Sequence, residues 1–119
     1  MRFVQALGNG GTLDGKRILG RKTIEYMASD QIAYMKGDPK DAERDSGWGF
    51  GLGFQVQTEG GQGAKSMSPG TFSWGGYFNT KFWIDPKENL VFVGMTQVAP
   101  FKHGDFWDKM YAIVYSMLD

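Results

Sequence analysis

Apolar residues along the chain fall into short runs whose spacing changes from segment to segment. Phe3, Val4 and Leu7 lie on one face of a helix, and Gly8-Asn9-Gly10-Gly11 ends it with residues that tolerate positive φ. No Ser, Thr, Asp or Asn precedes Arg2 to cap it, and so short a helix is not stable alone. Residues 1–11 therefore either dock on another element or are the remnant of a longer helix, and the second reading is favoured. Residues 12–19 read as a tight hairpin, with Asp14-Gly15 supplying a type I′ turn. Ile24, Met27 and Ile32 give a weak apolar stripe to a helix over residues 22–32. Residues 36–46 are rich in charge, contain Pro39 and read as an exposed loop.

The clearest strand spans residues 47–57. Trp48, Phe50, Leu52, Phe54 and Val56 alternate there with four glycines, Gln55 and Gln57. Glycines repeated on one face of a strand weaken it, and their use is to let another element come close. A Gly-rich turn over 59–63 and a loop over 66–70 lead to three further strands, at 71–76, 80–84 and 90–97. Asp85-Pro86-Lys87-Glu88-Asn89 turns between the last two. Leu90-Val91-Phe92-Val93 is apolar without alternation, as in a strand covered on both faces. Asp105 stands where it can cap a final helix with an apolar stripe of Phe106, Trp107, Met110, Tyr111, Val114, Met117 and Leu118. The expected fold class is α+β: an antiparallel sheet of about four strands with an amphipathic C-terminal helix on one face. Residues 47–119 carry the sheet and that helix.

Composition narrows the function. Lys and Arg balance Asp and Glu at thirteen each, so the chain lacks the basic field of a nucleic-acid binder. The absence of Cys excludes a disulfide scaffold, Cys-ligated zinc, iron–sulfur clusters and thiol catalysis. No apolar run approaches the ~20 residues of a membrane span, and no membrane partner is expected. The only His, His103, has no carboxylates at ligand spacing, so neither a metal nor another cofactor is expected. Residues 60–66 faintly resemble a P-loop, but Ala64 replaces a required Gly and Pro69 disfavours the helix that must follow. A flexible hairpin tip is the better reading.

The segment Ser73-Trp74-Gly75-Gly76-Tyr77 ends a strand in paired glycines. Such a pair lets a ligand reach backbone N–H groups, a common way to hold an oxyanion. Spacing alone favours a plainer alternative, in which the glycines relieve crowding under Trp74 and Trp83.

This stretch, with Ile84-Asp85-Pro86 about twelve residues later and the apolar run 90–93 after it, resembles the C-terminal part of the serine β-lactamase and penicillin-binding-protein-like family. The nearest resemblance is to class C β-lactamase-like hydrolases and esterases. Residues 3–7, 13–19 and 47–51 match in the same order. The resemblance implies an acyl-transfer enzyme acting on ester, β-lactam or amide carbonyls. Trp74-Gly75-Gly76 would be the edge-strand triplet and, with Ser73, would bind substrate. The Tyr77 backbone N–H would be one oxyanion-hole donor. Trp74 cannot supply the cation that Lys gives at this position in penicillin-recognising members, which leans the expectation toward esters. No Ser-x-x-Lys occurs, and the one Tyr-x-Asn, at Tyr77, lies after the triplet rather than before it. Nucleophile, Lys and proton-handling Tyr would then lie upstream of Met1, leaving this chain inactive alone. An uncovered sheet edge and apolar faces would favour pairing with another copy, as a homo-oligomer, or with the missing fragment. The competing function is a standalone module that stacks sugars or other ligands on a row of exposed tryptophans.

Overall fold

A computed structural model describes residues 1–36, 47–58, 67–102 and 104–118. The charged loop at 37–46, the Gly-rich turn and P-loop-like segment at 59–66, and His103 lie outside the described residues. In chain order the elements are α1 (Arg2–Gly8), β1 (Thr12–Leu13), β2 (Lys16–Arg17), α2 (Arg21–Met27), a 3₁₀ turn (Ala33–Lys36), β3 (Trp48–Phe50), β4 (Gln55–Gln57), β5 (Phe72–Gly75), β6 (Lys81–Asp85), β7 (Leu90–Gly94) and α3 (Phe106–Tyr115). β1 and β2 form a small hairpin, with positive φ at both Asp14 and Gly15 as a type I′ turn requires. The remaining strands form one antiparallel sheet in sequence order, β3-β4-β5-β6-β7. The class is α+β, with five strands in the main sheet.

The additional strand comes from residues 47–57, which fold back on themselves instead of running straight. Gly53 takes φ +85°, and the Gly51 N–H bonds to the Phe54 carbonyl across the bend. Phe50 and Gln55 become ladder partners. The glycines do admit a neighbour. A side chain at Gly51 would strike the Met27 carbonyl, and one at Gly49 would strike the Asp30 carboxylate. The Leu52 N–H bonds to that Met27 oxygen at 2.9 Å, fastening the bend to the end of α2. This contact also accounts for the early end of α2 at Met27, five residues short of the helix expected from the stripe.

The sheet is covered on both faces. On one, Leu7 of α1 and Ile24 of α2 join Phe54, Val56, Phe72 and Ile84 in a buried cluster. α1 docks there rather than standing free: a Cβ on Gly8 would lie 2.5 Å from Val91. On the other face, Tyr111 and Val114 of α3 cover Trp83 and Met67, with Phe92 stacked on the Trp83 indole at 3.8 Å. β7 thus sends Val91 to one cluster and Leu90 and Phe92 to the other, which is why its sequence shows no alternation. Asp105 occupies the N-cap position of α3, but its side chain makes no capping bond and instead pairs with Lys109 at 2.6 Å. Phe106 and Met117, placed in the apolar stripe by their spacing, are exposed, whereas Tyr115 is half-buried. Among the described residues no helix is long and apolar enough to cross a membrane.

Asp85 is fully buried. Its carboxylate accepts the N–H groups of Ser68 (3.0 Å), Lys87 (3.1 Å) and Glu88 (3.2 Å) and the Tyr115 hydroxyl (2.7 Å). Burial alone would raise its pKa, but the bonds from Tyr115, Ser68 and Glu88 outweigh burial and hold it below the ordinary carboxylate value. Burial, together with the adjacent Asp85 charge, pushes the Tyr115 phenol up.

Asp85→Ala is expected to cost about 3–4 kcal/mol in urea unfolding, because it strands several buried donors; Tyr115→Phe should cost about 1–2 kcal/mol. The depressed carboxyl binds its proton less readily folded than unfolded. Its contribution is therefore complete above the unfolded pKa, about 4, and is lost as pH falls through the lower folded value. The stability difference between wild type and Asp85→Asn should accordingly shrink on acidification.

Candidate active site

The β5–β6 hairpin builds the site. Its ladder pairs Ser73 with Trp83, Trp74 with Phe82 and Gly75 with Lys81. On the other side of β5, pairing with β4 ends at Gln55–Ser73, so the edge is open from Trp74 onward. At the tip the Asn79 N–H bonds to the Gly76 carbonyl and the Gly76 N–H to the Thr80 carbonyl, both at 2.9 Å. With Asn79 at φ +63°, this is a type I turn closed by a left-handed residue. Tyr77 and Phe78 are its two central residues. The glycines answer to Thr80 rather than to the tryptophans: a Cβ on Gly76 would lie 2.5 Å from the Thr80 hydroxyl, and one on Gly75 3.1 Å from its carbonyl.

Backbone groups alternate in direction along an antiparallel strand. The Gly76 N–H is turned toward β6, so the Tyr77 N–H is turned the opposite way, toward the open edge. Among the described residues no acceptor takes it. Trp74, Gly75, Gly76 and Tyr77 line an open cleft of about 380 Å³, together with Lys81 and Trp107. Ser73 does not line it. That side chain is buried across the ladder from Trp83, on the α3 side, and its hydroxyl has no partner among the described residues.

Sequence reasoning missed the groups that α3 brings to this cleft. Gly94 has no side chain to hold Trp107 off the sheet, since a Cβ there would lie 2.6 Å from the indole. Trp107 Nε1 then donates to Asn79 Oδ1 at 2.7 Å and so braces the turn that carries Tyr77. Lys81 Nζ lies 5.0 Å from the Tyr111 ring and 6.0 Å from the Trp107 ring. Burial holds its pKa below the ordinary lysine value, an effect partly offset by the Asp108 charge. The same burial raises the Tyr111 phenol. The cleft therefore carries an unpartnered amide and one desolvated cation. Among the described residues no three His, Cys, Asp or Glu side chains gather as metal ligands do.

The β-lactamase family model matches residues 1–113. The chain belongs to the β-lactamase family. It is 31% identical over 111 residues to Protein Rv1367c of Mycobacterium tuberculosis (strain ATCC 25618 / H37Rv), an alignment that takes in 84% of the chain and 26% of that relative. Its fold is shared with EstCE1, described as a hydrolase with promiscuous acyltransferase activity (TM-score 0.70, 24% identity, 94% of this chain and 27% of the other). It is also shared with an LovD6 mutant of simvastatin synthase from Aspergillus terreus (TM-score 0.71, 20% identity, 98% of this chain and 32% of the other). The chain thus spans about a quarter to a third of the length of these proteins.

The row of exposed tryptophans required by a sugar-stacking module is not formed. Trp83 is fully buried, Trp48 and Trp107 are half-buried against the α3-side cluster, and Trp74 is the one left exposed, its ring edge-on to Phe50 at 5.1 Å.

The electrostatics of Lys81 can be checked directly. Removing the attraction of Asp108 with Asp108→Asn should lower the Lys81 pKa further, measured by NMR titration of its side-chain carbons. An unchanged or raised value would contradict the arrangement described.

Proposed function

We propose that this chain forms the C-terminal part of a serine hydrolase that cleaves ester, β-lactam or amide carbonyls through an acyl-enzyme. In this reading a serine outside the chain attacks the carbonyl carbon, and the carbonyl oxygen takes up the negative charge. The Tyr77 N–H donates to that oxygen alongside the backbone N–H of the serine. The bond to the leaving group then breaks, and water later releases the acyl group. Trp74, Gly75 and Gly76 form the cleft wall along which the substrate lies. The observation that carries the reading is the Tyr77 N–H, unpartnered beside the triplet at the mouth of the cleft. Family membership supports it. Trp74 in place of a cation favours esters, and the hydrolase and acyltransferase description of EstCE1 agrees with acyl chemistry of that kind.

The turn offers a clean test. Tyr77 is the first central residue of a type I turn, a position that favours proline. Tyr77→Pro therefore removes the N–H while keeping the turn. In a longer protein carrying this segment, Tyr77→Pro should lower kcat about 10²–10³-fold, with KM changed far less, whereas Tyr77→Phe should leave kcat near wild type. Equal kcat in Tyr77→Pro and Tyr77→Phe would remove Tyr77 from the oxyanion hole. The 119-residue chain alone should turn over neither nitrocefin nor p-nitrophenyl esters; rates above background would overturn the assignment of the nucleophile to residues outside it.

A further inference from the structure

A trans peptide unit is planar, with its carbonyl and its N–H pointing opposite ways. The Gly76 carbonyl and the Tyr77 N–H share one such unit. The 2.9 Å bond from the Asn79 N–H to that carbonyl therefore also turns the Tyr77 N–H out of the turn. Where Asn79 sits decides where that amide points. Its backbone has φ +63°, which glycine adopts freely and a residue with a side chain adopts only at a cost. What asparagine adds is an acceptor: its Oδ1 takes the Trp107 indole N–H at 2.7 Å. Among the described residues that is the one hydrogen bond its side chain makes. The next peptide unit is held as well. The Phe78 carbonyl accepts the Thr96 hydroxyl at 2.7 Å and the Val98 N–H at 3.2 Å. Those two bonds fix the unit that enters Asn79, and the indole fixes the side chain that leaves it.

We propose that Trp107 is a positioning residue for the Tyr77 amide, acting through Asn79. The indole is itself a fixed point. It packs over Gly94, where a Cβ would come within 2.6 Å of it, and its ring meets that of Phe106 edge-on at 5.0 Å. The helix that carries it is anchored by Tyr111 and Val114, both buried in the α3-side cluster. A relay of held groups thus runs from α3 through the indole N–H to Asn79, and from the Asn79 N–H to the Gly76 carbonyl. The rigid peptide plane carries it on to the Tyr77 N–H. Hydrogen bonds weaken steeply with misalignment, and a donor stabilises a developing charge best when it is already aimed at it. The relay supplies that aim from behind the amide. Its catalytic consequence rests on the acyl-transfer reading above; the mechanical coupling does not.

Two substitutions interrupt the relay from opposite ends. Asn79→Gly keeps the left-handed residue and the turn but removes the acceptor, and Trp107→Phe keeps an aromatic ring over Gly94 but removes the donor. In the 119-residue chain, NMR relaxation should give the Tyr77 amide the order parameter of rigid backbone, ~0.85, falling toward ~0.6 in either variant. In a longer protein carrying this segment, each variant should lower kcat about tenfold with KM little changed. The double variant should lose no more than the larger single loss, because both substitutions break one bond. A Tyr77 amide that stays rigid in both variants overturns the proposal. So do additive losses in the double variant, or a Trp107→Phe loss that falls on KM alone, which would make the indole a substrate wall. If Trp107→Phe fails to fold, Asn79→Gly decides by the same readings. Tyr77→Pro, measured alongside, keeps two failures apart. Wild-type kcat in that variant sinks the oxyanion reading and leaves the relay to the order parameter. A slowed Tyr77→Pro enzyme with unchanged kcat in Asn79→Gly sinks the relay alone.

Discussion

A single buried carboxylate ties together parts of the chain that lie far apart in sequence. Asp85 ends β6, and its oxygens hold the loop before β5, the turn before β7 and the last turn of α3. No cation is among these partners; the charge is held by oriented donors, which is how an anion is kept inside a protein without prohibitive cost. With those bonds made, the β6–β7 turn is closed and β5 enters the sheet in a defined register.

The same helix is fastened at the opposite end of β6. Tyr115 bonds to Asp85, and Trp107 bonds to Asn79 in the turn that precedes the strand. Eight residues of helix rise roughly 12 Å, and the four steps from Lys81 to Asp85 cover roughly 13 Å of strand. α3 therefore acts as a strut along β6, with one foot on the buried carboxylate and the other on the turn that presents Tyr77. Between the two feet, Tyr111 and Trp107 hold the Lys81 ammonium against the cleft. The geometry at the cleft mouth depends on packing at the far end of the same strand.

Close approach explains one set of the glycines. Gly51 admits the Met27 carbonyl at the end of α2, Gly49 the Asp30 carboxylate beyond it, Gly75 and Gly76 admit Thr80, and Gly94 admits Trp107. The triplet glycines are thus required by the hairpin itself, whatever is bound. What the hairpin leaves over is the next amide, turned to an edge that β4 has already vacated. A structural demand and a chemical opportunity coincide at neighbouring residues.

Much of this was legible in the amino-acid sequence because it is local. Asp14-Gly15 specifies its turn through backbone sterics, the apolar runs at β5, β6 and β7 mark their strands, and the triplet with the Asp-Pro turn points to the family. Residues 47–57 misled because the alternation runs unbroken through the sequence although the chain reverses: the register pairs Trp48 with Gln57 and Phe50 with Gln55, which puts Trp48 on the α3 side and Phe54 and Val56 on the other. Tyr115 was left out of the stripe, and its role shows only once Asp85 is found opposite its hydroxyl. Asp85 itself reads as an ordinary turn residue. Lys81, Asn79 and Trp107 come to one cleft from positions up to 28 residues apart. Periodicity and turn chemistry marked the first hairpin, the strands β5 to β7 and the final helix, since both act over a few residues, while the triplet stood out through the family resemblance. Which groups would be buried and which amide of the hairpin would be left unpartnered were decided only when α2 and α3 docked on the sheet, because desolvation and hydrogen-bond satisfaction depend on neighbours in space.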